Sequence, residues 1–86
     1  MMAFATQEMH MPDKTDWEDK AKGILKGELK RRNMTYAHLV SRLGEMGVKE
    51  EEHNLRNKVA RGKFTAAFLL QCLAAIGSQT IRLEDG

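Results

Sequence analysis

The stretch MTYAHLVSRLGEMG, residues 34–47, decides the fold because it contains a helix start, an apolar stripe and a helix end. Thr35 can accept a hydrogen bond from a backbone amide further along and so begin a helix. After it, apolar residues recur three and four positions apart, as they do on one face of a helix. These residues are Tyr36, Leu39, Val40, Leu43 and Met46. Gly47 suits the left-handed backbone after a helix end, although Gly44 could end the helix a turn earlier.

A helix is also predicted before this stretch, at about residues 16–32. The sequence TDWE, residues 15–18, is a capping box in which Thr15 and Glu18 each bind the other's backbone amide. Behind it, apolar residues again follow helical spacing. They are Trp17, Ala21, Ile24, Leu25 and Leu29. Acidic residues in the first turn and basic residues in the last turn agree with the helix dipole.

A third helix is predicted at about residues 51–61. Leu55 and Val59 lie four positions apart and mark its buried side, and Gly62 ends it. Residues 48–51 offer no good N-cap, so the sequence defines the start of this helix less well than its end.

A fourth helix, over residues 66–76, is predicted after the cap residue Thr65. Only Gln71 is polar within it, and Gly77 closes it. A helix that is apolar nearly all round is central to its fold or buried at a subunit contact. The following residues 80–83, Thr-Ile-Arg-Leu, alternate like a short strand that could pair with a second copy of the chain.

Length and composition allow one small domain, which we expect to be an all-α, four-helix unit. The chain has 86 residues, of which 42% are hydrophobic and 30% charged. Residues 1–14 are expected to form a disordered tail and residues 15–86 the helical domain. Cys72 is the single cysteine and cannot form an internal disulfide, which fits a cytoplasmic location. No apolar run approaches the roughly 20 residues that span a bilayer.

The reactive side chains do not form the pattern of an enzyme. His10, His38 and His53 lie far apart, and none stands at a metal-binding spacing with cysteine or a carboxylate. No glycine-rich phosphate loop follows a strand. We therefore expect no catalytic residue, no metal site and no cofactor, and no small-molecule substrate is evident.

Basic residues are concentrated in two segments, although the formal net charge is only +2. Residues 20–34 contain six bases and one acid, and residues 55–63 contain four bases and no acid. If Leu55 and Val59 face inward, the opposite face of the third helix presents asparagine and arginine, which can form paired hydrogen bonds to adenine and guanine. The predicted base contacts are Asn54, Asn57 and Arg61. The predicted phosphate contacts are Arg42, Arg56, Lys58 and Lys63.

Three segments resemble helix-turn-helix domains of the lambda-repressor/Cro type. MTYAHLVSRLG, residues 34–44, looks like the first half of that motif, with its turn glycine at Gly44. VARGK, residues 59–63, is similar to the end of the recognition helix, and FLLQCLAAIG, residues 68–77, resembles the next helix. This resemblance implies a compact DNA-binding domain.

A closer resemblance covers residues 17–83 and is to a bacterial family of domains of unknown function that is described as helix-turn-helix-like. The matching strings are AKGILKGELKRRN at 21–33, LRNK at 55–58 and RGKF at 61–64. This family implies the same fold but brings no established activity with it.

We therefore predict a small bacterial transcriptional regulator that binds specific duplex-DNA sequences as a homodimer, with the third helix in the major groove. The dimer contact is expected at the fourth helix and residues 80–83. The three glutamates at 50–52 repel phosphates and stand at the end of the recognition helix that normally enters the groove. The alternative is a protein-interaction module on the same fold. RNA is a weaker third option, because Tyr36 is the only aromatic outside the core that could stack on a base.

Overall fold

The structure, a computed structural model, describes residues 14–83, with side chains from Asp16 onward. Its helices are α1 (Lys14–Arg31), α2 (Tyr36–Glu45), α3 (Glu52–Arg61) and α4 (Ala66–Ala75). These described residues contain no strand, so the all-α, four-helix prediction is confirmed. None of the four helices is long and apolar enough to cross a membrane. The predicted tail at 1–14 lies outside the described residues, except for Lys14.

The four helix starts were predicted with different success. The helix α1 begins at Lys14, so Thr15 lies inside it rather than before it, and the predicted cap position is wrong. At α2, the Thr35 side chain accepts from the His38 amide at 3.1 Å, as predicted. At α4, the Thr65 side chain accepts from the Phe68 amide at 3.0 Å. The helix α3 starts at Glu52 with no side-chain cap, in agreement with the weak signal at 48–51.

The capping of α2 is reciprocal, because the Thr35 amide donates to Nδ1 of His38 at 3.0 Å. A capping box usually has glutamate or glutamine at this third helical position. The exposed imidazole of His38 performs the same task here. The sequence was searched at His38 only for a metal-binding spacing, so half of this cap was not predicted.

The end of α3 depends on a close backbone contact at Gly62. Gly62 has a left-handed backbone, with φ of +69°. A β-carbon placed on it would lie 2.9 Å from the carbonyl oxygen of Glu18 in α1. Since real β-carbons do not approach a backbone oxygen so closely, only glycine fits both the conformation and the space.

The core forms between α1 and α2 on one side and α3 and α4 on the other. α1 packs against α3 and α4, and α2 packs against the same two helices. The buried apolar residues are Leu25, Leu29, Leu39, Leu43, Leu55, Val59, Phe68, Cys72, Leu73, Ala75 and Ile76. All four predicted helix faces therefore contribute to one core.

Two residues predicted to be buried are exposed. Trp17 is 59% exposed, because at 100° per residue it is rotated about 80° away from Leu25 on α1. Met46 is 46% exposed, because α2 ends at Glu45 and Met46 already has non-helical backbone angles. Helical spacing alone placed both residues too close to the buried stripe.

The predicted strand at 80–83 is also wrong for the single chain. Thr80, Ile81, Arg82 and Leu83 are exposed and carry no strand pairing. Thr80, Arg82 and Leu83 instead line a groove beside α1. An isolated strand needs a partner for its backbone hydrogen bonds, and no neighbouring strand exists among residues 14–83.

Two long-range hydrogen bonds join basic side chains to the ends of helices. Nζ of Lys22 donates to the carbonyl of Ala60 near the end of α3, at 3.1 Å. Nη1 of Arg42 donates to the carbonyl of Ala75 at the end of α4, at 3.2 Å. Cations at these positions satisfy free carbonyls and interact favourably with the helix dipole.

Cys72 is fully buried, where a free cysteine packs as a small hydrophobic residue. Burial raises the pKa of its thiol to about 12, and the carboxylate of Glu50 adds to the rise while Lys58 opposes it. The native thiol is therefore protonated at neutral pH. We expect a disulfide exchange reagent to label native Cys72 about 1,000-fold more slowly than the urea-unfolded chain.

The same shift gives stability a defined pH dependence. The folded pKa of about 12 lies above the ordinary thiol pKa of 9.0, so the contribution of the thiol is complete below pH 9 and is lost as the pH rises towards 12. Labelling at equal rates in native and unfolded protein would contradict the buried position of Cys72.

Candidate nucleic-acid interface

Five polar side chains line one shallow groove of about 310 Å³ on the exposed side of α3. They are Asn54, Asn57, Lys58, Arg61 and Lys63, and we call this the α3 groove. Its position follows from the helix itself, since Leu55 and Val59 hold the opposite side of α3 in the core. All three predicted base contacts and two of the four predicted phosphate contacts therefore line one groove.

The C-terminal half of the α3 groove carries free cations. Arg61 and Lys63 are exposed, and neither side chain forms a hydrogen bond or an ion pair with a residue in the described part of the chain. Nearer the middle of the helix, Nδ2 of Asn57 lies 3.4 Å from Nε2 of His53. The side chains of Arg61 and Lys63 are thus available to an anionic partner.

Two cations near the middle of α3, Arg56 and Lys58, pair with the acidic run. Nζ of Lys58 lies 2.9 Å from Oε2 of Glu50, and Nη2 of Arg56 lies 2.7 Å from Oε2 of Glu52. Glu51 is exposed and has no side-chain cap bond to the helix. Two of the three glutamates are therefore neutralised by the cations that were predicted to contact phosphates.

Lys58 has a second contact that restrains it. Its Nζ lies 4.6 Å from the centre of the Phe68 ring, a cation–π distance. Lys58 therefore lies between the ring of a core residue and the Glu50 carboxylate. Before it can bind a phosphate, it has to give up the ion pair with Glu50.

Two of the predicted phosphate contacts lie away from the α3 groove. Arg42 donates to the end of α4. Arg56 lies over the ring of Tyr36, with its guanidinium carbon 4.9 Å from the ring centre. Tyr36, predicted as the one aromatic available for stacking, is therefore half-buried and covered on one face.

Arg56 also lines a second groove, between α1, the start of α2 and the start of α3. We call it the Tyr36 groove; its volume is about 870 Å³. Its apolar lining includes Leu29, Met34 and Tyr36. Its charged lining consists of Lys26, Lys30, Arg56 and Glu52. This groove was not predicted from the sequence. The signal that could have indicated it is the four-residue spacing of Lys26 and Lys30, which places both on one side of α1.

The two arginines at the end of α1 pair with an acidic residue of the same helix. Arg31 and Arg32 both hydrogen-bond to Glu28. The bond from Arg31 lowers the pKa of the Glu28 carboxyl, burial opposes the lowering, and Arg32 reinforces it. The Glu28 carboxylate also accepts from Ser78 at 3.5 Å. Arg31 therefore lies in the groove beside α1 that residues from the segment 80–83 also line, and it does not line the α3 groove.

In the part of the chain that the structure describes, no three His, Cys, Asp or Glu side chains lie close enough together to hold a metal ion. Several large apolar side chains are exposed. Among them are Leu70 on α4, at 56%, and Leu83, at 62%.

Comparison with protein families gives one match. The family described as "Domain of unknown function (DUF6471)" matches residues 17–81, from the first turns of α1 to the segment after α4. Comparisons with curated proteins and with solved structures found no match.

Proposed function

The chain belongs to this family of domains of unknown function, and we propose that it binds duplex DNA through the C-terminal half of α3. One observation carries the proposal: Asn54, Asn57 and Arg61 line the same groove as Lys58 and Lys63. Asparagine and arginine can read base edges, while lysine can bind the adjacent phosphates. A small transcriptional regulator with a sequence-specific site is the function that this set of side chains supports best.

The charges of α3 favour docking by its C-terminal half. Glu51 and Glu52 lie at its start, whereas Arg61 and Lys63 lie at its end without acidic partners in the described residues. A DNA backbone is repelled by the first set and attracted by the second. In this proposal α3 therefore enters the major groove with residues 57–63 leading, not with its first turn.

We interpret α2, residues 46–51 and α3 as a helix-turn-helix of the lambda-repressor type. The direct packing of α2 on α3 supports this interpretation. The connection of six residues is longer than the three or four residues of a compact motif. The added length agrees with a docking mode that differs from the usual one.

The proposal is tested by fluorescence anisotropy with a labelled random-sequence duplex at about 50 and about 200 mM NaCl. We expect micromolar binding at the lower salt concentration and a loss of at least about tenfold at the higher one. An absence of binding at the lower salt concentration would refute the DNA-binding proposal.

The ion pair between Glu50 and Lys58 provides a gain-of-function test. Replacing Glu50 with glutamine frees Lys58 and removes a carboxylate that opposes phosphates. We expect the affinity for duplex DNA to rise about threefold to tenfold and the salt slope to steepen by about one unit. The measurement is the same anisotropy titration at several salt concentrations.

Glu45→Gln is the matched control, because Glu45 is an exposed glutamate at the end of α2 and the substitution changes the net charge equally. We expect Glu45→Gln to change the affinity less than twofold. Equal gains in the two variants would show that only the net charge matters and would remove Lys58 from the interface.

A homodimer on the same fold is the second candidate, and exposed apolar side chains favour it. Leu70 projects from α4 and Leu83 from the segment beside α1, and both are more than half exposed. Residues 80–83 also lack a strand partner within the described chain. In this proposal α4 and residues 80–83 pair with a second copy, either to present two DNA-binding helices or as a protein-interaction module alone.

Sedimentation equilibrium tests the dimer. We expect the unmodified chain to sediment as a dimer at micromolar concentration and Leu70→Glu to sediment as a monomer, because a buried unpaired carboxylate strongly disfavours an interface. Met46→Glu, at an exposed apolar position on the end of α2, is the control and should remain dimeric. A monomeric unmodified chain would exclude this candidate.

A further inference from the structure

The Tyr36 groove combines an apolar floor with cations at its edge. Leu29 is part of the core, and Met34 and Tyr36 are partly buried against that core. These side chains give the groove an apolar floor held by packed neighbours. With about 870 Å³, it is also larger than the α3 groove of about 310 Å³. A volume of this size accommodates a small organic molecule.

Two lysines at the edge of the Tyr36 groove have no acidic partner among the described residues. Lys26 and Lys30 lie four residues apart on α1, at a spacing where like charges repel each other. Both are exposed, and neither side chain has a hydrogen bond or an ion pair with any residue of the described chain. Glu52, the acid of this groove, is paired with Arg56. An anion placed between the two lysines would relieve their repulsion.

Arg56 gives the groove a further recognition element. It is held by Glu52 and lies over one face of the Tyr36 ring. A guanidinium in this position can bind a planar carboxylate or sulfonate through paired hydrogen bonds. The adjacent apolar floor would take up the carbon skeleton of the same molecule.

We propose that the Tyr36 groove binds an organic anion in which a carboxylate or sulfonate is attached to an aromatic or aliphatic body. Lys26, Lys30 and Arg56 bind the anionic group, and Leu29, Met34 and Tyr36 contact the apolar body. An extended polyanion fits this groove less well, because it would also meet Glu51 and Glu52. The proposal goes beyond DNA binding and can be tested without DNA.

The probe is 8-anilinonaphthalene-1-sulfonate, titrated into the ¹⁵N-labelled full chain and followed by amide chemical shifts. We expect saturable binding that shifts the amides around the groove, from Lys26 to Ala37 and from Glu52 to Arg56. N-phenyl-1-naphthylamine, which has a similar aromatic body without the sulfonate, should bind at least about tenfold more weakly.

Two double variants test whether binding of the sulfonate depends on the lysines of the Tyr36 groove. Lys26→Gln combined with Lys30→Gln should weaken binding of the sulfonate about tenfold. The matched control, Lys20→Gln combined with Lys49→Gln, removes two exposed lysines elsewhere. It should change the affinity for the sulfonate less than about twofold. Urea unfolding of both variants verifies that each remains folded, since loosely folded chains also bind this probe.

Several outcomes would overturn the proposal. Equal binding of the charged and neutral probes would show an apolar surface without anion recognition. Shifts that map to Ile24 and Leu83 would place the probe in the groove beside α1. The amides of the Tyr36 groove could shift with a short duplex but not with the sulfonate. That result would assign this groove to the DNA interface. Failure of the sulfonate leaves the proposed role of the α3 groove unaffected.

Discussion

Gly62→Ala is expected to lower the free energy of unfolding by about 2–5 kcal/mol. The left-handed backbone costs a residue with a β-carbon about 1–2 kcal/mol. The clash with the Glu18 carbonyl adds about 1–3 kcal/mol, because α1 or the end of α3 has to shift. The measurement is the urea midpoint, with the m-value used to verify that the transition stays two-state.

Gly47→Ala separates the two contributions. Gly47 has φ of +88°, but no atom lies within 4 Å of the position that its β-carbon would take. We therefore expect a loss of only about 1–2 kcal/mol, from the backbone conformation alone. Equal losses at Gly47 and Gly62 would show that the close approach of α1 to the end of α3 is absent.

Arg61→Ala is expected to weaken binding to a preferred duplex by about 1–3 kcal/mol, or about 5-fold to 150-fold in Kd. A guanidinium that binds a guanine through two hydrogen bonds accounts for this magnitude. The preferred duplex is obtained by selection from a random pool and then titrated by anisotropy. With Arg61→Ala, discrimination at one base pair should disappear while discrimination elsewhere remains.

Lys63→Ala gives the contrasting result, because a phosphate contact carries no sequence information. We expect it to weaken binding to all duplexes alike and to reduce the salt slope by about one unit. Lys20→Ala, an exposed lysine of α1 outside the α3 groove, controls for net charge. Losses from Arg61→Ala that are equal on every sequence would exclude base reading by Arg61.

Local sequence signals were sufficient for most of the fold. Thr35 and Thr65 cap their helices as predicted, and Gly62 ends α3 as predicted, with a left-handed backbone. Each depends on a hydrogen bond or a backbone angle within a few residues, so the residue type at that position is enough to predict it. The regular spacing of Leu55 and Val59 likewise identified the buried side of α3.

Contacts between distant parts of the chain could not be predicted in this way. Nothing near Arg42 in the sequence indicates that it meets the carbonyl of Ala75. The pair of Glu50 and Lys58 spans the start of α3, so helical spacing does not predict it. Glu52 and Arg56, four residues apart in one helix, could have been predicted as a pair.

The sequence predicted which side chains share the exposed side of α3. It did not predict which of the charged side chains remain unpaired. Placing Leu55 and Val59 inward was sufficient to bring Asn54, Asn57 and Arg61 to one exposed side of α3. Which cations remain free depends on the acids that the tertiary structure brings to them. The structure therefore moves the expected centre of DNA binding from the whole of α3 to its C-terminal half.

The most direct test of this account is a titration of the ¹⁵N-labelled chain with the selected duplex, followed by amide chemical shifts. The account predicts that the largest shifts occur at Asn57, Arg61 and Lys63, with smaller changes at Glu51 and Glu52. Largest shifts at the first turn of α3, or confined to α4 and residues 80–83, would contradict DNA binding by the C-terminal half of α3.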